Sequence, residues 1–228
     1  MKFGNSSGVL LPKEWLNGKA KIELVEEPRD IKKDILEILD PYLEDIVGIY
    51  LVGSYARGEQ TERSDVDVLV MTNKTNKIIK NGKYYLIFIE EAKLKTTLEK
   101  TALPLLPMIK EARALLNGGL LERYQETKLT KTNLRAHIEL TKSALNINKA
   151  MIALDRDWPS DCSDASAYSL TLNLRTVYVL DNLRNSKNYS SNDFKNLIKK
   201  ISGSTKAYEG YLRVKDKEKD KENLPVIE

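Results

Sequence analysis

Hydrophobic positions recur along this chain with two different periods, and the change of period divides it. Near the N-terminus, Val9-Leu10-Leu11 is a short apolar run stopped by Pro12, and Lys13-Glu14-Trp15-Leu16 fits one helical turn opened by that proline. From Lys19 to Val25 the pattern alternates, with Ala20, Ile22 and Leu24 on one side and Lys21 and Glu23 on the other, as in a half-buried strand. Two short strands and one turn cannot bury a core alone, so this segment is expected to pack on the rest of the chain or on a second copy.

Pro28 marks a boundary. Asp30 suits a helix cap, and Ile31, Ile35, Leu36, Ile38 and Leu39 return at helical spacing. Pro41 opens a further turn carrying Tyr42, Leu43 and Ile46, and Gly48 is expected to end it. Continuous apolar runs at 49–52, 66–71 and 84–89 predict buried strands, while 74–82 is polar and turn-like. Residues 90–101 read as a helix with Leu94 and Leu98 inward. A short helix is expected within 103–112, then an edge strand at 113–116 closed by Asn117-Gly118-Gly119. Strands alternating with helices predict an α/β unit from 29 to 125.

Beyond residue 130 only helical spacing remains. Leu134, Ile138, Leu145 and Ile152 form a stripe, widened by Leu140, Ala144, Ile147, Met151 and Leu154. Trp158-Pro159-Ser160-Asp161 interrupts it. A second helix is expected at 168–183, with Leu170, Leu174, Val177 and Tyr178 on one face. Ser190 to Asp193 opens a third, carrying Leu197, Ile198 and Ile201, and 204–215 a fourth. The expected division is a β segment at 1–27, the mixed unit at 29–125, a helical bundle at 130–215 and a tail at 216–228. The tail alternates in sign and reads as a charged helix end or disorder.

Composition narrows the partners. The net charge is +4, from 37 basic and 33 acidic residues, a balance that does not by itself predict nucleic-acid binding but permits an anionic ligand in a local site. One cysteine, Cys162, excludes an internal disulfide and reads as a bystander thiol. No apolar run approaches the roughly 20 residues of a membrane span, and the N-terminus lacks a signal-peptide pattern. The expectation is a soluble, cytoplasmic protein.

Chemistry concentrates at Gly53-Ser54-Tyr55-Ala56-Arg57-Gly58 and Ser64-Asp65-Val66-Asp67. Along a strand, residues two apart share a face, so Asp65 and Asp67 project together while Val66 and Val68 turn into the core. Two unit charges about 4 Å apart repel by roughly 1 to 4 kcal/mol depending on screening. A divalent cation removes that cost, and carboxylate oxygens suit Mg2+. Gly53 lets the backbone approach an anion, Ser54 offers a hydroxyl, and Arg57 carries a guanidinium that pairs with phosphate oxygens. These residues predict a nucleoside triphosphate held by turn and metal, with in-line attack on the α-phosphorus expelling pyrophosphate.

Gly53-Ser54, ten residues, then Asp65-x-Asp67 resembles the signature of the polymerase-β-like nucleotidyltransferases, and Tyr55-Ala56-Arg57-Gly58 with Ser64 resembles their minimal branch. The resemblance implies an α+β fold, a mixed sheet with flanking helices, followed here by an all-α four-helix bundle. It implies Mg2+ on Asp65 and Asp67, also the catalytic pair, and nucleotide contacts from Gly53, Ser54, Arg57 and Ser64. ATP is the expected donor, and a small molecule, a protein hydroxyl or an RNA end the acceptor. Members of the family usually carry a third carboxylate on a later strand. Here the strand at 84–89 has Tyr85 about where it is expected, and Glu90 and Glu91 stand just beyond. A domain that binds nucleotide without turnover is therefore a second expectation.

Two further resemblances cover the ends. Phe3 to Val9 with Leu11-Pro12-Lys13-Glu14-Trp15 resembles the AbrB-like swapped hairpins, which implies a homodimer through 1–27 and DNA contact through Lys2, Lys13, Lys19 and Lys21. Tyr168 through Asp193, above all Leu174-Arg175-Thr176-Val177-Tyr178, resembles the HEPN-like bundles that accompany these nucleotidyltransferases, some of them ribonucleases. Their Arg-x4–6-His motif is absent, because the one histidine, His137, follows Arg135 by two. His137 reads as a surface or partly packed residue. The bundle is expected to bind the acceptor or brace the nucleotide cleft. The regulatory alternative is an antitoxin-like, DNA-binding dimer. Tyr168, Tyr178, Tyr208 and Tyr211 read first as core, and second as rings that stack on a base.

Overall fold

The computed structural model describes residues 2–3, 6–7, 9–21, 30–156 and 164–222. The chain divides into two compact units, Met1–Glu37 and Ile38–Glu228. In the first, strands β1 (Lys2–Phe3) and β2 (Ser6–Ser7) pair antiparallel. A 3-10 turn, Lys13–Trp15, follows Pro12. Val9, Leu10, Leu11, Trp15 and Leu16 are all exposed. Most of the strand expected from Lys19 to Val25 lies outside the described residues, as do Pro28, Cys162 and the break at Trp158 to Asp161. Helix α1 spans Ile31–Leu39, and the Asp30 carboxylate accepts the N–H groups of Lys32 and Lys33, as a cap should.

The second unit is built on a mixed five-stranded sheet. Its strands are β3 (Ile46–Val52), β4 (Val66–Thr72), β5 (Lys77–Asn81), β6 (Tyr84–Glu90) and β7 (Arg113–Leu116), in spatial order β5-β6-β4-β3-β7. The central pair, β4 and β6, is parallel; the other pairings are antiparallel. Around the sheet lie a 3-10 segment (Asp40–Asp45) and helices α2 (Gly53–Arg57), α3 (Glu91–Lys100), α4 (Leu105–Glu111) and α5 (Gly118–Gln125). On one face Tyr50, Val52, Leu69 and Met71 form a core with Leu94 and Leu98 of α3, Leu106 and Ile109 of α4, and Leu120 and Leu121 of α5. On the other, Val66, Val68, Val70, Leu86 and Phe88 are buried.

Three local expectations are corrected. The segment 74–82 is not a turn throughout, because Lys77–Asn81 pairs with β6 as an edge strand. An edge tolerates lysines and an exposed Ile78, which hides the strand pattern. Gly48 lies inside β3 rather than before it. A side chain there would collide with Tyr50, whose hydroxyl would lie 2.0 Å from a Cβ. Asn117-Gly118-Gly119 does more than close β7: Asn117 caps α5, its side chain accepting the Leu120 N–H.

The helical bundle follows: α6 (Lys131–Arg156), α7 (Asp164–Arg184), α8 (Ser191–Ser202) and α9 (Lys206–Glu222). Helix α7 packs against both α6 and α9. The expected apolar stripe of α6 is met only in part, with Leu134, Ala144 and Ile152 half-buried. Ile138, Leu140, Leu145, Ile147 and Met151 are exposed, while Asn133, His137, Thr141 and Asn148 are buried. Two of these polar residues dock α6 on helix α3 and the loop after it. Asn133 donates to the Leu98 carbonyl at 2.9 Å, and His137 Nε2 accepts the Leu103 N–H at 3.4 Å. A hydrophobicity pattern cannot reveal a contact made by side-chain amides and an imidazole. The bundle's tyrosines stack on one another: Tyr168 on Tyr211, and Tyr178, Tyr189 and Tyr208 around Phe194.

Candidate active site

The site forms where β3 ends and β4 begins. Val52 pairs with Asp67, so the residue after Val52 lies beside that carboxylate. This residue is Gly53, at φ +69°. A Cβ on it would stand 2.5 Å from Asp67 Oδ2, a distance no real side chain tolerates. Glycine suits the left-handed backbone, and any side chain here would push the Asp67 carboxylate aside. Gly53 opens the five-residue helix α2, which carries Ser54 and Arg57 and ends at Gly58, again left-handed. Asp65 immediately precedes β4 and Asp67 is its second residue. Both aspartates are half-buried, and Val66 and Val68 between and after them are fully buried.

The other expected residues are placed as follows. Ser54 is half-buried beside Gly53. Ser64 ties its own loop, its hydroxyl accepting the Thr61 N–H at 2.9 Å. Arg57 is committed to two acids. Its Nε donates to Glu59 at 2.8 Å and its Nη1 to Glu111 at 2.6 Å, while its guanidinium lies 5.0 Å from the Tyr189 ring centroid. Burial opposes the charge on Arg57, but the two carboxylates outweigh it and hold the proton more firmly than usual.

Glu90 and Glu91 do not complete the aspartate pair. In the parallel register Asp67 faces Tyr85, whereas Glu90 faces Thr72, five positions along, or about 16 Å at strand rise. Glu90 binds Asn76 and Lys93, and Glu91 receives the Tyr124 hydroxyl. Among the described residues no group of three or more His, Cys, Asp or Glu could hold a metal ion.

Sequence reasoning missed Glu111. Its Oε1 accepts the Gly53 N–H at 3.0 Å, and its Oε2 takes the Arg57 guanidinium. Burial is the main influence on its carboxyl and pushes it up, against the pull of Arg57 and the Gly53 amide. A signal was present: Glu111 is the last residue of α4, where the helix dipole disfavours an acid. Glu59 was missed too. It accepts the N–H and hydroxyl of Ser191, at the start of α8, and so ties the sheet unit's Gly turn to the bundle.

With this geometry in place, residues 29–118 match the family model described as a nucleotidyltransferase domain. Over these residues the chain is similar to nucleotidyltransferase domains. The matched segment encloses β3 to β7 and the whole Gly53–Asp67 site. A relative in Methanocaldococcus jannaschii, named "Putative protein adenylyltransferase MJ0141", is 43% identical over 53 residues, which are 23% of this chain and 50% of the relative. The chain thus spans about half the length of that relative. A nucleotidyltransferase-like protein from Exiguobacterium sibiricum, with a solved crystal structure, is 14% identical, with 71% of this chain and 60% of that one aligned at a TM-score of 0.37.

The donor set of this site fits a divalent cation of the magnesium kind. Asp65 and Asp67 offer hard oxygens two residues apart, and two carboxylates leave positions for phosphate oxygens and water. A third carboxylate from β6 is not among them.

Proposed function

We propose that the protein transfers a nucleoside monophosphate from a nucleoside triphosphate to a hydroxyl acceptor. The observation that carries this reading is the closeness of Gly53 to the Asp67 carboxylate, which a Cβ at Gly53 would meet at 2.5 Å, inside a segment that matches the nucleotidyltransferase model. Gly53 gives the triphosphate close access to main chain, and the Ser54 hydroxyl donates to a phosphate oxygen. Asp65 and Asp67 would hold magnesium, which when bound supplies positive charge to the phosphate oxygens. The acceptor hydroxyl attacks the α-phosphorus in line, the bond to the bridging oxygen breaks, pyrophosphate leaves and the hydroxyl proton passes to solvent. The name of the Methanocaldococcus relative favours ATP as donor and a protein hydroxyl as acceptor.

A second reading is a domain that binds nucleotide without turning it over. Tyr85, rather than an acid, faces Asp67, so no β6 carboxylate stands ready to activate the acceptor. One assay separates the two. Incubation with α-labelled ATP, Mg2+ and a panel of protein and small-molecule hydroxyls should release pyrophosphate and label an acceptor, and Asp67→Asn should abolish both. Asp67-dependent ATP binding with no pyrophosphate release from any acceptor selects the second reading.

A dimer through residues 1–27 is a separate proposal, supported by the run of exposed apolar side chains at Val9, Leu10, Leu11, Trp15 and Leu16. Removing 1–27 should convert a dimer to a monomer in sedimentation. A truncated chain that still dimerises rejects it.

A further inference from the structure

We propose that the Glu111 carboxylate is a resident stand-in for a phosphate group, and that Arg57, Arg175 and the Gly53 amide form a polyphosphate pocket that Glu111 fills until ligand arrives. The proposal deepens the nucleotide reading of the Gly53 turn and rests on it for the carrier of the phosphate.

Three observations converge. First, Glu111 uses both oxygens as a phosphate would, one on a backbone N–H and one on a guanidinium. Its local position offers no other reason for an acid, since it ends α4 at the negative pole of the helix. What holds the charge there is the donor set of the Gly53 turn. Second, Arg57 has a second carboxylate. Glu59 binds its Nε and anchors on Ser191 as well, so departure of Glu111 leaves Arg57 paired. Third, the bundle brings a further cation. Arg175 of α7 is half-buried, 5.3 Å from the centroid of the Tyr189 ring, the same ring that Arg57 approaches at 5.0 Å. Its Nη1 donates to the Tyr211 hydroxyl at 3.5 Å. Among the described residues no carboxylate forms an ion pair with Arg175. Its charge instead acts on the Glu111 carboxyl, pulling it down against burial.

Two guanidiniums therefore face one tyrosine ring, with Glu59 fixed between domain and bundle and Glu111 the one acid that a ligand can replace. Exchanging Glu111 for a phosphate adds negative charge where two guanidiniums, Arg57 and Arg175, already act on that carboxylate. It also places that phosphate on the N–H of Gly53, the residue whose Cβ would meet Asp67.

The test is calorimetric titration of the full chain with inorganic tripolyphosphate in excess chelator, so that neither metal nor base contributes. Glu111→Gln keeps the shape and an acceptor for the Gly53 N–H but removes the competing charge. It should bind tripolyphosphate at least tenfold tighter than the unsubstituted chain. Arg175→Gln added to it should cancel that gain, and Arg175→Lys should restore part of it. Glu111→Asp, too short to span both donors, should also bind more tightly, and serves if Glu111→Gln melts early. Equal, weaker or undetectable binding by the folded Glu111 variants overturns the proposal and leaves Glu111 as a brace. A Glu111 effect without Asp67-dependent ATP binding would keep the pocket and reject the nucleotide reading. The reverse result rejects the pocket alone.

Discussion

Gly53 and Asp67 touch: a methyl group on the glycine would lie 2.5 Å from the aspartate Oδ2. Gly58, five residues on, is equally left-handed, at φ +73°, but a Cβ there meets nothing within 4 Å. The pair makes a controlled comparison. Both alanine variants should lose about 1 kcal/mol through backbone strain. Only Gly53→Ala should also displace the carboxylate, lose a further 1 to 2 kcal/mol or so, and abolish Mg2+-dependent ATP binding. Thermal melts and ATP titrations of the two variants check this. Equal loss of binding in both would show that contact with Asp67 is not what matters.

Glu59 joins the Gly turn to the bundle and should carry a measurable share of stability. Burial works against its charge, but the bonds from Arg57 and Ser191 outweigh that and hold its carboxyl below the ordinary value of 4.5. A carboxyl depressed in the folded state stabilises above its unfolded pKa, and that contribution fades as pH falls through the folded value. Glu59→Gln should therefore cost about 1 to 3 kcal/mol at pH 7. The gap between variant and unsubstituted chain should close in urea melts below about pH 4.

His137 has the opposite chemistry with the same acid limb. Burial lowers its pKa from 6.5, and its Nε2 accepts the Leu103 N–H, which requires a neutral ring. The unfolded state takes the proton first, so stability should fall as pH drops below about 6.5 and level off below the folded pKa. His137→Gln, whose amide oxygen can also accept, should flatten the portion of the curve just below pH 6.5. An unchanged slope in that window would assign it to other groups.

Tyr85 faces Asp67 across the parallel pair. Tyr85→Asp would place a third carboxylate beside Asp67, on the face that the metal pair is proposed to use. Mg2+ affinity by calorimetry should rise at least several-fold, with a stability loss of about 1 to 3 kcal/mol from the lost ring. Unaltered Mg2+ affinity in a folded variant would indicate that the cation does not sit at Asp67.

The main strands of the sheet were legible because 49–52, 66–71 and 84–89 are continuous apolar runs, and the turn that joins Gly53 to Asp67 was legible because its residues are close in sequence. What escaped was chemistry that acts across distance or against pattern. Glu111 reaches Gly53 over 58 positions of chain, and Glu59 reaches Ser191 over 132, separations that leave no periodic trace. Edge strand β5 escaped because an edge accommodates lysines. The buried face of α6 escaped because Asn133 and His137 anchor it by hydrogen bonds, leaving Leu140 and Ile147 outside. Arg57 illustrates the middle case: its chemistry was read as phosphate pairing, and in the fold it is held by two carboxylates.

The most direct test is equilibrium binding of ATP to the full chain with and without Mg2+, for the unsubstituted protein and for Asp67→Asn. The isosteric amide removes the negative charge and leaves the Gly53 contact in place. Saturable, Mg2+-dependent binding that weakens at least tenfold, about 1.4 kcal/mol or more, in Asp67→Asn is the expected result. Binding of equal affinity in the two proteins, or none in either, would contradict the nucleotide site at Gly53 and Asp67.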